Sequence, residues 1–332
     1  MAAPVAADRM VERARISGGG RLRTALTDFF LDPALRLTEQ ERALMTAMLQ
    51  GLIGSLADEL RVRVPDHVAR ASECDPVAIM ADLTRAGLLA EEPLVAVLLK
   101  RADASRVGQA GDQAAAKQML SRLVSDSDPA VAAAAMALAL ARGRRRDRIR
   151  LGVGLDDLPR SAAERLVHGI AAALALRSDP TSPEFPAAGA ELLDRHDNAQ
   201  GLDATERRLV AALQEAGRVD DALVLSLSAR GEASLLAHTL AQLADVPADS
   251  AWELLMQPGD GRLALLLRMA GQPRSTAAAI FVSIGPAIGL IDPAAEIDRF
   301  DALTDDLVTG SRHQLKRPAA YRHALEALGR DG

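Results

Sequence analysis

The chain has 332 residues, 49% of them hydrophobic and 25% charged, with a formal net charge of −6. That composition excludes wholesale disorder, and its acidic balance disfavours nucleic acid as a partner, because phosphate contacts need a basic footprint. Aromatic residues supply only 2%, so Ala and Leu must fill the core; both are strong helix formers, runs of alternating β-branched residues are missing, and the chain reads as all-α.

In chain order, residues 1–20 read as a flexible arm, a charged stretch to Ile16 followed by Ser17-Gly18-Gly19-Gly20. It holds no apolar core long enough for a signal peptide. Residues 21–101 read as an N-terminal helical bundle. A helix from Arg21 to Leu31 stops before Asp32-Pro33. Thr38 and Glu41 then form a capping box for a long helix that Pro65 ends. Along it Leu44, Met48, Leu52, Leu56 and Leu60 fall at four-residue spacing. This stripe is read either as the core of the bundle or as the seam of a homodimer through the N-terminal helices. Asp75-Pro76 opens the next helix as N-cap and first-turn residue, and its hairpin closes near Arg101.

Residues 102–118 read as a linker or weak helix. Residues 119–332 read as a helical-hairpin repeat domain. Asp128-Pro129 opens an alanine-rich helix through Ala141, with side chains small enough for close helix packing, and Ser178–Pro186, with three prolines, reads as a loop. The longest apolar stretch, Ala277–Ile291, is broken by Ser283, Gly285, Pro286 and Gly289, short of the ~20 residues that a membrane span requires. Together with a single cysteine, Cys74, which suits a reducing compartment, this gives a cytoplasmic expectation with no membrane insertion.

A recurring signature underlies the repeat reading. Aligned on a short Ala-Gly turn, Leu83–Leu99, Leu213–Gly231, Leu240–Gly259 and Leu266–Gly285 each hold an apolar helix end, a polar break and a second apolar helix. The step from Ala216 to Ala244 to Ala270 is the length of two short helices and their turns. Asp-Pro pairs recur at Asp75, Asp128 and Asp179, and Pro159-Arg160-Ser161-x-Ala163 returns as Pro273-Arg274-Ser275-x-Ala277.

Several stretches resemble a bacterial family, found in alphaproteobacteria, that is described as a domain of unknown function with HEAT-like helical repeats. They include Leu26-Thr27-Asp28-Phe29-Phe30-Leu31, Arg36-Leu37-Thr38-Glu39-Gln40-Glu41-Arg42-Ala43-Leu44, and Asp128-Pro129-Ala130-Val131 with the alanines that follow. Leu158-Pro159 leading to Arg165-Leu166-Val167, Asp260-Gly261-Arg262-Leu263-Ala264-Leu265-Leu266 and Ala278-Ala279-Ile280-Phe281 match as well. Where members of that family carry a Trp pair, this chain has His168-Gly169. The resemblance implies an all-α fold of an N-terminal bundle followed by HEAT-like hairpins in an α-solenoid, and it supplies no catalytic residues.

The sharpest chemical feature is the run Arg142, Arg144, Arg145, Arg146, Arg148 and Arg150. Guanidinium forks bind carboxylate and phosphate in bidentate fashion, so the run is read as a site for an acidic or phosphorylated protein partner. It is also read as a solvated loop that reflects a GC-rich coding bias, since only Lys100, Lys117 and Lys316 among the basic residues are lysines. The six histidines (His67, His168, His196, His238, His313 and His323) show no metal-ligand spacing; His168 and His238, on apolar helix faces, suit either a phosphorelay or a structural role. Glu296, Asp298, Asp301, Asp305 and Asp306 cluster on one expected helix, as a cation or acid–base site or as a solvated face. No phosphate loop, dinucleotide fingerprint or nucleophile elbow is present. The leading expectation is a non-enzymatic scaffold that binds a protein and uses no cofactor. Its alternatives are a phosphotransfer or metal-dependent enzyme module and a nucleotide or nucleic-acid sensor through Arg142–Arg150.

Overall fold

The computed structural model describes residues 37–73, 75–144, 152–256 and 261–318, with Tyr321, Arg322, Ala324, Leu325 and Leu328. The expected arm and the Arg21–Leu31 helix lie outside the described residues. Among those described, every regular element is a helix. Internal packing divides the chain into Met1–Leu44 and Met45–Gly332. In the first unit the described residues are the start of α1 (Glu39–Val62) and its capping box. Thr38 N donates to Glu41 Oε2 at 2.8 Å, and Glu41 N donates to Thr38 Oγ1 at 3.2 Å.

The second unit continues α1 and adds α2 (Asp66–Ala71), α3 (Pro76–Arg85), α4 (Glu92–Ala110), α5 (Gln113–Val124) and α6 (Pro129–Arg144). Next come α7 (Arg160–Ala175), α8 (Glu184–Asp194), α9 (Leu202–Glu215), α10 (Asp221–Ala229), α11 (Ala233–Ala244) and α12 (Ala248–Met256). The last are α13 (Arg262–Met269), α14 (Arg274–Ser283), α15 (Gly285–Ile288), α16 (Pro293–Ala302) and α17 (Asp305–Leu315). Short polar caps start many of them. Asp75 accepts Val77 N at 2.9 Å, and Asp128 accepts Ala130 N at 2.8 Å, each satisfying an amide that has no partner within its helix. The third Asp-Pro pair does something else: Asp179 accepts Thr181 N in a turn that precedes α8. That loop ends earlier than expected, at Pro183, because Pro186 falls in the first turn of α8, where proline's missing N–H costs nothing.

The repeating turn has one geometry. At Ala216-Gly217 the glycine has φ +67°, Arg218 N bonds Leu213 O at 2.8 Å and Gly217 N bonds Gln214 O at 2.9 Å, a Schellman closure. The same pair of bonds closes α3 (Leu88 N to Leu83 O, Gly87 N to Thr84 O) and α13 (Gln272 N to Leu267 O, Gly271 N to Arg268 O). In the remaining unit Asp245 takes the glycine's place at φ 55°. The Pro-Arg-Ser repeat is also structural: Pro159 and Pro273 stand at the N-caps of α7 and α14, and Ala163 and Ala277 are fully buried.

Consecutive helices pack as pairs: α5 on α6, α7 on α8, α11 on both α10 and α12. Further contacts join α6 to α9, α9 to α11, α10 to α14, and α13 to α16 and α17. One continuous core runs from Val107 on α4 to Val308 on α17. Residues 102–118 are the last turns of α4, a break at Gly111-Asp112 and the first turns of α5; Ala102, Val107 and Ala116 are buried, so packing holds a stretch whose composition looked weak. The proposed dimer seam is corrected. Met48, Leu52, Leu56 and Leu60 are 0–3% exposed within one chain, and Leu44 is half-buried, so the stripe is core. No described helix is long and apolar enough to cross a membrane.

Candidate functional site

The arginine run is split by the fold. Arg142 sits on the inner side of α6 next to buried Ala141, and its guanidinium forks onto Glu232, with Nη1 to Oε1 at 2.9 Å and Nη2 to Oε2 at 2.6 Å. Nη2 also reaches Glu206 Oε1 at 3.1 Å, and Ser234 Oγ donates to the other oxygen of Glu206. Glu206 is 3% exposed and Glu232 12%. Burial pulls the guanidinium pKa down, but Glu232 and then Glu206 outweigh it and hold it above the ordinary arginine value. Arg142 is therefore a tie between α6, α9 and the start of α11, which corrects its reading as a partner-binding residue.

Arg144, half a turn further on, is exposed and has no carboxylate partner among the described residues. It lines a cleft of about 640 Å³ whose walls come from α1, the segment 152–156 and the end of α8. The floor includes Met48, Leu52 and Val153, and the polar lining includes Arg63, Arg195, His196, Asp58, Glu59 and Asp156. Most of these charges are engaged nearby. Arg195 pairs with Glu191, Arg63 lies between Glu59 and Glu191, and Asp156 accepts Asp197 N at 3.0 Å. Arg145, Arg146, Arg148 and Arg150 lie outside the described residues, but Arg144 and Gly152, the chain on either side of them, both line this cleft.

A second polar constellation sits where α4, α9, α11 and α12 meet. Asp203 Oδ1 accepts from Lys100 Nζ at 2.5 Å and from His238 Nε2 at 3.2 Å, while Arg207 donates to Oδ2 at 2.7 Å. Lys100 stands 5.4 Å from the centroid of the Trp252 ring, a cation–π contact, and 3.9 Å from Asp249. An open cleft of about 620 Å³ beside it is lined by Arg207, His238, Asp245, Asp249 and Lys316. Burial pushes the Asp203 carboxyl up, but the His238 hydrogen bond and the Lys100 ammonium more than reverse this, leaving it well below the usual carboxylate range.

A pH dependence follows from this carboxylate. A depressed folded-state pKa contributes stability that is present above the unfolded carboxylate value and lost as pH falls through the folded one. Urea midpoints taken between neutral and acid pH should show Asp203→Asn less stable than the native chain at neutrality, with the gap closing below about pH 4, where an unfolded Asp takes up its proton. A gap that stays constant with pH would assign the loss to packing.

The remaining candidates do not converge. His168 is exposed on α7, whereas His238 is buried and bonded through Nε2. The acidic residues are divided between two helices, because α16 ends at Ala302 and α17 starts at Asp305. Glu296 is fully buried, accepting Ala264 N at 3.2 Å and Arg299 at 2.9 Å, while Asp301 pairs with Arg274 and Asp305 lies 3.7 Å from Arg268. Among the described residues no group of three or more His, Cys, Asp or Glu side chains is arranged to hold a metal ion. Sequence reasoning missed Lys100, Asp203, Glu206 and Glu232. A signal existed for Glu206 alone, since it interrupts the apolar stripe Leu202, Leu209, Val210 and Leu213 on α9 and so asks for a buried cation.

Neither the curated proteins nor the solved structures contain a match to this chain. The profile of a bacterial family, described as an uncharacterised protein conserved in bacteria (DUF2336), matches residues 91–314. α4 to α17 thus lie almost wholly within the match, and α1 to α3 precede it. Because the match covers more than half of the chain, the protein belongs to this family.

Proposed function

We propose that this chain is a non-enzymatic scaffold of HEAT-like helical hairpins that binds a protein partner carrying an acidic or phosphorylated segment. The observation that carries the reading is Arg144. It is a cation without a carboxylate partner among the described residues, on a cleft with an apolar floor, and the chain leaving it holds Arg145, Arg146, Arg148 and Arg150. A guanidinium at such a rim pairs with carboxylate or phosphate while the floor takes apolar side chains. The buried charges favour scaffolding over catalysis: Arg142 is saturated by two carboxylates, and His238 is buried with its Nε2 bonded to Asp203.

The test is purification of the native chain from its own cells beside an Arg144→Glu, Arg145→Glu, Arg146→Glu variant, with Arg142 left intact. A stoichiometric protein companion should be held about tenfold or more weakly by the variant, since three charges of the arginine run are reversed. The helical circular dichroism should be unchanged. A companion retained equally by both forms would refute the site, and a bound nucleotide or a phosphohistidine in place of a protein would refute the scaffold reading.

A further inference from the structure

From Pro129 to Ala141, α6 carries no polar side chain. Val131, Ala135, Leu138 and Ala141 face the core and are fully buried. The opposite side is exposed and equally apolar: Pro129, Ala133, Met136, Leu140 and Gly143, with Met136 at 45% and Leu140 at 59% exposure. The intervals of this outer row are 4, 3, 4 and 3 residues, the spacing that keeps one helix face against another along a seam. A helix that is apolar all round is normally covered all round. Here, among the described residues, its own chain covers only one side.

The row is complementary to itself. Turned antiparallel about the point between Met136 and Ala137, Leu140 lies over Ala133 of the second copy, and Met136 lies over Ala137, a half-buried small residue at the edge of the row. Such pairing lets two helices approach to about 8 Å, the close end of the usual range. The same operation brings Arg144 beside the N-terminal end of the other α6, where the Asp128 carboxylate is the cap. Apolar fit and charge thus agree on one two-fold arrangement, in which the same patch serves both partners.

We propose that α6 is a self-association seam, and that a second copy of this chain packs antiparallel on its outer face through Ala133, Met136 and Leu140, with half-buried Ala137 at the edge of the contact. Arg144 is common to this seam and to the partner cleft, but Leu140 does not line that cleft, so its substitution tests the seam alone. Sedimentation equilibrium over about 1–200 µM, the range in which a small helix–helix interface associates, should show the native mass rising toward twice the monomer. Leu140→Glu should hold it at the monomer with the same helical signal. A second readout needs no destabilising charge: with Cys74→Ser removing the chain's one thiol, Ala137→Cys should oxidise to a covalent dimer, because the two-fold axis passes beside it, whereas Ala211→Cys, exposed on α9, should not. A native chain monomeric throughout, a dimer that survives Leu140→Glu, or equal cross-linking at both positions would overturn the proposal.

Discussion

Arg142→Met is expected to destabilise the protein by about 3–5 kcal/mol, the usual cost of removing one partner from a buried ion pair. The loss comes from the carboxylates left behind. Glu206 and Glu232 are nearly enclosed, and without the guanidinium fork they must ionise against each other or take up a proton. Urea denaturation at neutral pH measures the loss. Arg142→Met combined with Glu206→Leu and Glu232→Leu should recover much of it, because an apolar set of similar size carries no desolvation cost. A single-variant loss below about 1 kcal/mol would show the site behaving like a solvated surface pair. The result bears on any charge-reversal study of the arginine run: reversing Arg142 would destabilise the fold and imitate a binding defect.

Gly111→Ala should have the next largest effect, a loss of about 3 kcal/mol, at the upper end of what overpacking produces. A Cβ at Gly111 would stand 2.3 Å from the carbonyl carbon of Arg230 and the nitrogen of Gly231, both main-chain atoms that no rotamer change can move. The two backbones are this close because the end of α4 crosses the turn between α10 and α11, where Asp112 N bonds Ala229 O at 3.3 Å. Gly231 needs to be glycine twice over: its φ is +66°, and its own Cβ would meet Val107 O at 2.5 Å. Gly217→Ala is the control. Its φ of +67° is nearly the same but nothing lies within 4 Å, so backbone strain alone should cost about 1 kcal/mol. Equal midpoints for the two variants would mean that the crossing opens without penalty.

Local chemistry made many of the helix limits legible in advance. Thr38 with Glu41, Asp75, Asp128 and the Ala-Gly turns act through bonds to residues within five positions along the chain, so the information needed to read them is contiguous. The all-helical character follows for the same reason, from an excess of Ala and Leu and a lack of β-branched runs. The candidate sites were far less legible. The arginine run looked like one surface because its residues are neighbours in the chain, but Glu206 and Glu232, 64 and 90 positions away, draw Arg142 inward.

The same contrast governs the apolar faces. The stripe from Leu44 to Leu60 and the run from Pro129 to Ala141 are both hydrophobic enough to be buried, and composition ranks the long stripe as the better seam. Periodicity can say that a helix has an apolar face, but not which neighbour covers it. In α6 it says even less, because inner and outer faces are both apolar and no polar side marks the solvent. What decides the matter is non-local: the first stripe is enclosed by the rest of its own chain, while α5 and α9 pack against α6 and leave Met136 and Leu140 uncovered. Element type and helix caps were therefore written in short-range sequence. Which charges are neutralised and which apolar face stays open depended on contacts between segments far apart in the chain, which only packing brings together.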